Sequence, residues 1–482
     1  MSIISRRSFL KLASLAALSS SAYGRQTPPP RRPNVLLITI DDMNDGISLF
    51  GADRPFKTPN IETLAKRGVF FNRAYCASAA CNPSRASMLT GLRPHKTGIY
   101  GNRTDWRRAA GEHLTLPEYF GRHGYYTAGF GKIYHHHSNG AYNDPDSWDR
   151  FKKMDPQYMP PKKLNGATRY GSRNTDWGAW PADDHEEKTI DFKSVGYATR
   201  VIEQKRNSSG KPFFLACGIF KPHSPFFAPP KYHTRYKTPP PLPPRKEDDW
   251  SDLPTGAAAL MRPKKWFWKG MTALEKTKPG SYRKFIHSYA ACCSFADASV
   301  KRLLDALDKS GHADNTIIVL WSDHGFHLGE KDHIEKFALW EKSNHIPFII
   351  VDPRKSKSAG KVCSQPVDMT VLYPTLLELC GLEKFDKLDG RSAAGLVTNP
   401  EASWRQPALM TYGRNNHAIR SKRWRYIRYA DGTDELYDHA KDPNEWTNLA
   451  GDPGHASIVK EHAKWIPKQN APQAPDLKRN RK

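Results

Sequence analysis

Four apolar runs, each stopping at charged or polar residues, constrain this chain more than any other feature. Asn34-Val35-Leu36-Leu37-Ile38-Thr39-Ile40 halts at Asp41-Asp42, and Tyr125-Tyr126-Thr127-Ala128-Gly129-Phe130 halts at Gly131-Lys132. Residues 212–220 run into Lys221-Pro222-His223, and Thr316-Ile317-Ile318-Val319-Leu320-Trp321 runs into Ser322-Asp323-His324-Gly325. Strands without polar alternation are covered on both faces, as in parallel sheets flanked by helices. Helical patterns lie between them at 59–67, 189–204, 282–307 and 369–379, with further strand-like runs at 69–71 and 347–351. This alternation predicts an α/β/α sandwich on a large, mostly parallel sheet. In such sheets ligands sit beyond the carboxyl ends of the strands, which groups Asp41, Asp42, Lys132, His223, Asp323 and His324 at one site.

A chain of 482 residues exceeds one average domain. Arg6-Arg7 with Phe9-Leu10-Lys11, followed by a short apolar stretch and small residues, looks like a twin-arginine export signal over 1–24. That stretch is too short to span a bilayer, so no stable membrane span is expected. The reading implies passage through the twin-arginine export machinery to a periplasmic or secreted location. A proline-rich linker covers 25–32, the main α/β domain is expected over 33–384, and the pattern changes beyond it. Residues 385–467 read as a smaller subdomain with an antiparallel sheet, whose hairpin at 418–429 is rich in basic side chains. A disordered basic tail is expected over 468–482. Segments 136–187 and 229–280 show little periodicity; the first is expected to decorate the site face and the second to be a surface insertion.

The formal net charge is +25, reduced by three when Arg6, Arg7 and Lys11 leave with the signal. Such a field attracts polyanions. No nucleic-acid recognition motif accompanies it, so nucleic acid is not the expected partner, and the charge by itself suits either another polyanion or general solubility. Seven cysteines, an odd number without Cys-x-x-Cys spacing, do not form a disulfide framework or zinc site. Cys217, Cys292, Cys293 and Cys380 fall at packing positions.

The chemistry-bearing residues follow. Adjacent Asp41 and Asp42 repel unless a proton or cation intervenes, which suggests a hard, oxygen-ligated metal. Asp323-His324 after a second buried strand would complete its shell, with Ca²⁺ or Mg²⁺ favoured over a transition metal. Cys81-Asn82-Pro83-Ser84-Arg85 precedes Leu89-Thr90-Gly91; Pro83 suits a first helical turn, and Arg85, four residues on, faces the same way as Cys81. By itself the thiol is either a nucleophile or an inert core residue. The helix start offers free N–H groups and a positive dipole end to an anion.

The string Cys-x-Pro-Ser-Arg with Leu-Thr-Gly resembles the signature of type I sulfatases. Gly131-Lys132-Ile133-Tyr134-His135, Lys221-Pro222-His223-Ser224-Pro225-Phe226 and the stretch from Leu328 through Lys336 to Pro347 resemble further elements of that family, in its iduronate-2-sulfatase branch. The resemblance spans roughly residues 33–450 and implies an alkaline-phosphatase-like fold. It implies that a maturation enzyme converts Cys81 to formylglycine, whose hydrate is the nucleophile, and that Ca²⁺ is held by Asp41, Asp42, Asp323, His324 and the residue-81 oxygen. It further implies that Lys132, Lys336 and Arg85 offset sulfate charge, that His223 protonates the leaving alcohol, and that His135 takes a proton from the second hydroxyl. The neighbouring His136 and His137 make that last register ambiguous. Two rivals stand beside this reading: a phosphatase or phosphonate monoester hydrolase of the same superfamily, and a non-catalytic binder of sulfated glycans. His113, Trp177, Asp183 and Arg414 are candidate sugar contacts.

Overall fold

Residues 32–135, 144–160, 162–165, 175–205 and 210–477 are described by the computed structural model. The export signal, His136 and His137 lie outside the described residues, as does the Asp183 side chain.

The four apolar runs form the centre of one eight-stranded sheet. Its strands are β1 (Asn34–Asp41), β2 (Val69–Phe71), β3 (Tyr126–Gly131), β4 (Arg150–Phe151), β5 (Phe213–Pro222), β6 (Thr316–Ser322), β7 (Phe348–Val351) and β8 (Val362–Cys363). They lie in the order β8-β2-β7-β6-β1-β5-β3-β4. All pairs are parallel except those of β7, which is antiparallel to β2 and β6. The α/β/α sandwich is therefore mostly parallel, as expected.

Why these runs lack polar alternation is visible in their packing. Leu36, Ile38 and Ile40 face one apolar core, shared with Leu215, Ile318 and Leu320. Val35 and Leu37 face a second core on the other side, with Phe214, Val319 and Trp321. Helix α1 (Cys81–Thr90) and α4 (Leu372–Leu379) cover the second face; α2 (Ile190–Lys205) and α3 (Ser281–Ser310) cover the first. Completely burying each of these large side chains stabilises the fold by about 1.5–3 kcal/mol.

A four-stranded antiparallel sheet follows: β9 (Ala408–Thr411), β10 (His417–Arg420), β11 (Trp424–Arg428) and β12 (Asp434–Asp438). Its apolar face packs Met410, Ala418 and Ile427 against Tyr75, Leu339 and Trp340 of the main domain. A buried ionic clip reinforces this seam. Arg425 Nη1 donates to Leu339 O (2.7 Å) and Nε to Glu341 (3.1 Å), while Arg420 Nε also reaches Glu341 (3.2 Å).

Two expectations need correction. The 229–280 segment is not merely a surface insertion: it contains helices Thr255–Met261 and Trp266–Thr277, which bury Ala257, Met261, Phe267, Trp268 and Met271 in two cores. Its density of Pro and Lys obscured the apolar stripes. The tail from 468 is held as far as Leu477. Ala471 N donates to His95 O (2.8 Å), Ala474 N to Gly98 O (2.9 Å) and Leu477 N to Arg103 O (2.8 Å). Backbone pairing of this kind leaves no periodic signature in a sequence.

Candidate active site

Strand ends β1, β3, β5 and β6 and the first turn of α1 converge on one buried cluster. All ten residues of α1 are buried, and Cys81 is its first helical residue. The Cys81 Sγ lies 3.1 Å from His324 Nε2 and 3.8 Å from Asp41 Oδ1. Asp41, Asp42, Cys81 and His324 each bring a ligand atom within 4.8 Å of the others. Asp323 borders this group: its Oδ2 is 3.5 Å from His324 Nε2, and its Oδ1 accepts from the Asp42 (3.1 Å) and His324 (3.0 Å) backbone N–H groups.

The cations are equally well placed. Lys132 pairs with Asp41 and Lys336 Nζ with Asp42 Oδ1 at 2.8 Å. Arg85 faces the same way as Cys81 along α1, and part of its planar head is taken up by protein, while Nη2 makes no hydrogen bond among the described residues and lies 3.8 Å from Asp41 Oδ1. Nε donates to Asp323 Oδ2 (2.9 Å) and Nη1 to the carbonyls of Lys132 and Ile133, the latter at 3.1 Å. It braces the cluster by tying α1 to the ends of β3 and β6. His223 Nδ1 bonds the Ser224 carbonyl at 2.7 Å, which directs Nε2 toward Asp42 Oδ2, 4.0 Å away. His135 is buried and its side chain hydrogen-bonds at Cys81.

These charges shift one another. Burial raises the Asp41 carboxyl, yet Lys132, with His223 and Arg85 behind it, holds it well below the usual carboxylate range. Asp323 is pushed up to about 7 by burial, against Arg85 and with the Asp41 charge adding. Burial opposes ionisation of Cys81, but Lys132, Lys336 and His324 outweigh it and hold the group far below an ordinary thiol. Burial likewise opposes charge on His324, which Asp323 and Cys81 raise to about 9. An acidic group at position 81 is therefore favoured as an anion.

The donor set suits a hard divalent cation. Three buried carboxylates lie side by side, and burial, with the Asp41 charge adding, lifts Asp323 toward neutrality, a cost that a cation relieves. His324 Nδ1 bonds the Gly325 carbonyl (2.9 Å) and turns Nε2 inward, the orientation of a ligating imidazole.

Several supports were not legible from sequence. Asp42 sits at φ 64°, a left-handed conformation, and Tyr289 of α3 clamps it: the hydroxyl donates to Asp42 O (2.6 Å) and accepts from Asn44 N (3.1 Å). Nothing distinguishes Tyr289 from the other aromatics of that helix in the sequence. Lys331, Asp332, Glu335 and Phe337 also have positive φ, so the loop carrying Lys336 is held in a strained form. Gly218 of β5 touches the backbone of Lys132 so closely that any Cβ would collide with it.

The candidate sugar contacts fare differently. His113 Nε2 bonds Thr90 O (2.7 Å) at the far end of α1, and Trp177 is buried 5.6 Å from Phe285. Arg414 bonds Asn470 O at 3.2 Å. None of these three touches the cluster through these contacts.

Sequence comparison assigns a chain with this sandwich and this buried cluster at its strand ends to the hydrolases of sulfuric esters. The sulfatase family profile matches residues 33–382, and the N-sulphoglucosamine sulphohydrolase C-terminal profile matches 329–471. The chain belongs to the sulfatase family, as a type I sulfatase. It is 38% identical to a Formosa agariphila sulfatase over 91% of this chain and 87% of that protein. It is 31% identical to human iduronate 2-sulfatase over 73% of this chain and 69% of the relative. Among solved structures, a 2-O GAG sulfatase superposes with TM-score 0.70 at 22% identity, covering 90% of each chain. A phosphonate monoester hydrolase from Silicibacter pomeroyi gives 0.72 at 22%, covering 90% of this chain and 94% of that one. At these identities the two structures speak for the fold.

Proposed function

We propose that the protein hydrolyses sulfate monoesters of saccharides with a formylglycine made from Cys81 and a Ca²⁺ ion held by Asp41, Asp42, Asp323 and His324, Mg²⁺ being the alternative ion. The observation that carries this reading is the position of Cys81: first residue of a buried helix, with Lys132, Lys336 and His324 lowering the proton affinity of its side chain. When bound, the ion supplies a Lewis acid for sulfate oxygen and for the residue-81 hydroxyl. Lys132 and Lys336 bring two ammonium groups to the sulfuryl group, the electrostatic task that dominates such transfers. Arg85, held by Asp323 and two carbonyls, keeps the helix start in register with the strand ends. His223 Nε2 faces the cluster and donates a proton to the departing alcohol. His135 receives the proton of the second residue-81 hydroxyl as sulfate leaves.

The names of relatives support a sulfated saccharide: iduronate 2-sulfatase by sequence and a 2-O GAG sulfatase by fold. The net charge of +25 supports a polyanionic source of that saccharide. Twin-arginine export and maturation of Cys81 by a formylglycine-generating enzyme complete the proposal, with the mature protein in the periplasm or secreted. No helix among the described residues is long and apolar enough to cross a membrane.

The rival phosphatase or phosphonate hydrolase shares the fold. A second acid–imidazole cluster exists at Glu341, His439 and Glu445, but Arg420 and Arg425 already occupy Glu341 and Arg425 pairs with Glu445. It does not provide a second metal centre. Paired assays on the sulfate and phosphate monoesters of one alcohol test the assignment. The sulfate ester is expected to have the higher kcat/KM; a preference for phosphate would overturn it.

A further inference from the structure

A groove between the antiparallel sheet and the helix α5 (Ala456–Ala463) uses none of the catalytic residues. Trp404 precedes β9, Trp424 opens β11 and Trp465 follows α5, yet all three line this one cavity of about 430 Å³. That volume lies in the range of small-molecule sites. Trp465 is 46% exposed, an indole left in water on the wall of that cavity. Ile458 and the prolines Pro366 and Pro407 complete the apolar part of the wall.

The polar part is basic. Arg405 and Lys422 line the groove, are exposed, and enter no ion pair among the described residues. Arg391 lies over the Trp404 ring (5.4 Å) and Arg423 over Trp424 (4.8 Å). Arg423 shares its charge with Asp438, its Nε donating at 2.7 Å, and Glu461 is the one acid on the lining. His462 is wall rather than ligand: Nδ1 bonds Ile458 O (2.8 Å) and Nε2 bonds Ser421 Oγ (3.0 Å).

We infer that this groove is a second binding site, which holds a sulfated saccharide chain while the catalytic site works elsewhere on it. Indole faces suit the apolar C–H faces of pyranose rings, and unneutralised Arg and Lys suit sulfate oxygens. A neutral glycan would leave the cations unpaired. A second copy of this chain, itself at +25, would meet the basic rim with like charge. The inference rests on the proposed saccharide substrate but not on the state of Cys81.

The test uses the full chain in its unconverted thiol form and the probes dextran sulfate and unsulfated dextran in affinity electrophoresis. Trp465→Ala and Lys422→Ala are each expected to weaken dextran sulfate binding by roughly five-fold or more, the worth of a lost stacking or charged contact. Hydrolysis of 4-nitrophenyl sulfate by the converted enzyme is expected to be unchanged in both variants. Unchanged affinity in Trp465→Ala, with loss in Lys422→Ala alone, would reduce the groove to diffuse charge and overturn the proposal. Concentration-dependent sedimentation that disappears in Trp465→Ala would overturn it in favour of self-association. Absence of all sulfatase turnover would sink the proposed function while leaving the binding result standing.

Discussion

Arg85 shows how a motif residue can be read correctly in place and incompletely in role. The i, i+4 spacing puts it on the Cys81 side of α1, but only coordinates reveal that Asp323 and two carbonyls absorb Nε and Nη1 and leave Nη2 toward Asp41. Its removal leaves a buried carboxylate unpaired, so Arg85→Ala is expected to cost about 3–5 kcal/mol in urea unfolding. A stability change below about 1 kcal/mol would show that Asp323 does not depend on it. His223 makes a different prediction. Because its Nε2 points inward while Nδ1 is held by Ser224, His223→Ala is expected to slow alkyl sulfates by roughly 10²–10⁴-fold. Aryl sulfates, whose phenolate leaves without a proton, should be affected far less. Equal losses for both would remove the general-acid role. Asp41, Asp42, Lys132, His223, Asp323 and His324 could be grouped because charged residues after apolar strands are rarely idle, whereas Cys81 opens a helix and stood out only through the resemblance of its motif. Tyr289 was not, since its role depends on the left-handed turn of Asp42.

At the scale of elements, the sheet is an arrangement for aiming β-strand ends. Parallel β1, β5 and β3 bring Asp41, His223 and Lys132 to the same edge, and β6 adds Asp323 beside β1. The four central strands could be read from composition because burial on both faces forces a continuous apolar run. Their ends shift by a residue or two, as with β5, which continues through Lys221-Pro222 beyond the expected Phe220. Short β4 and β8 carry two residues each and lack any such run, which left them invisible. Close strand approach also depends on Gly218, where a methyl group would strike the Lys132 backbone. Gly218→Ala is therefore expected to cost about 1–3 kcal/mol and to lower kcat by displacing Lys132. Wild-type kcat together with wild-type stability would contradict this account of the β3–β5 junction. The helices of 229–280 escaped sequence reading because the Pro and Lys that crowd this segment obscure short apolar faces.

Taken whole, the molecule presents a strongly basic surface around a buried site whose carboxylates crowd one another. A cation that binds the native site but not the unfolded chain stabilises the fold by mass action, about 2.7 kcal/mol at a hundred-fold excess over Kd. Chelation with EDTA is thus expected to lower the melting temperature and abolish sulfate release, and Ca²⁺ to restore both. A chelated protein that keeps its melting temperature and its turnover would remove the metal from the account. The charge pattern was plain in the sequence, whereas the docking of residues 471–477 against 95–105 was not, because it runs through backbone pairing, which has no compositional trace. All these arguments converge on the side chain at position 81. The most direct measurement is to purify batches in which different fractions of the Cys81 peptide are converted, as read by mass spectrometry, and to assay each for sulfate release. Turnover is predicted to rise in proportion to the formylglycine fraction and to extrapolate to zero for the pure thiol. Full activity in protein whose position 81 remains a thiol would contradict the account.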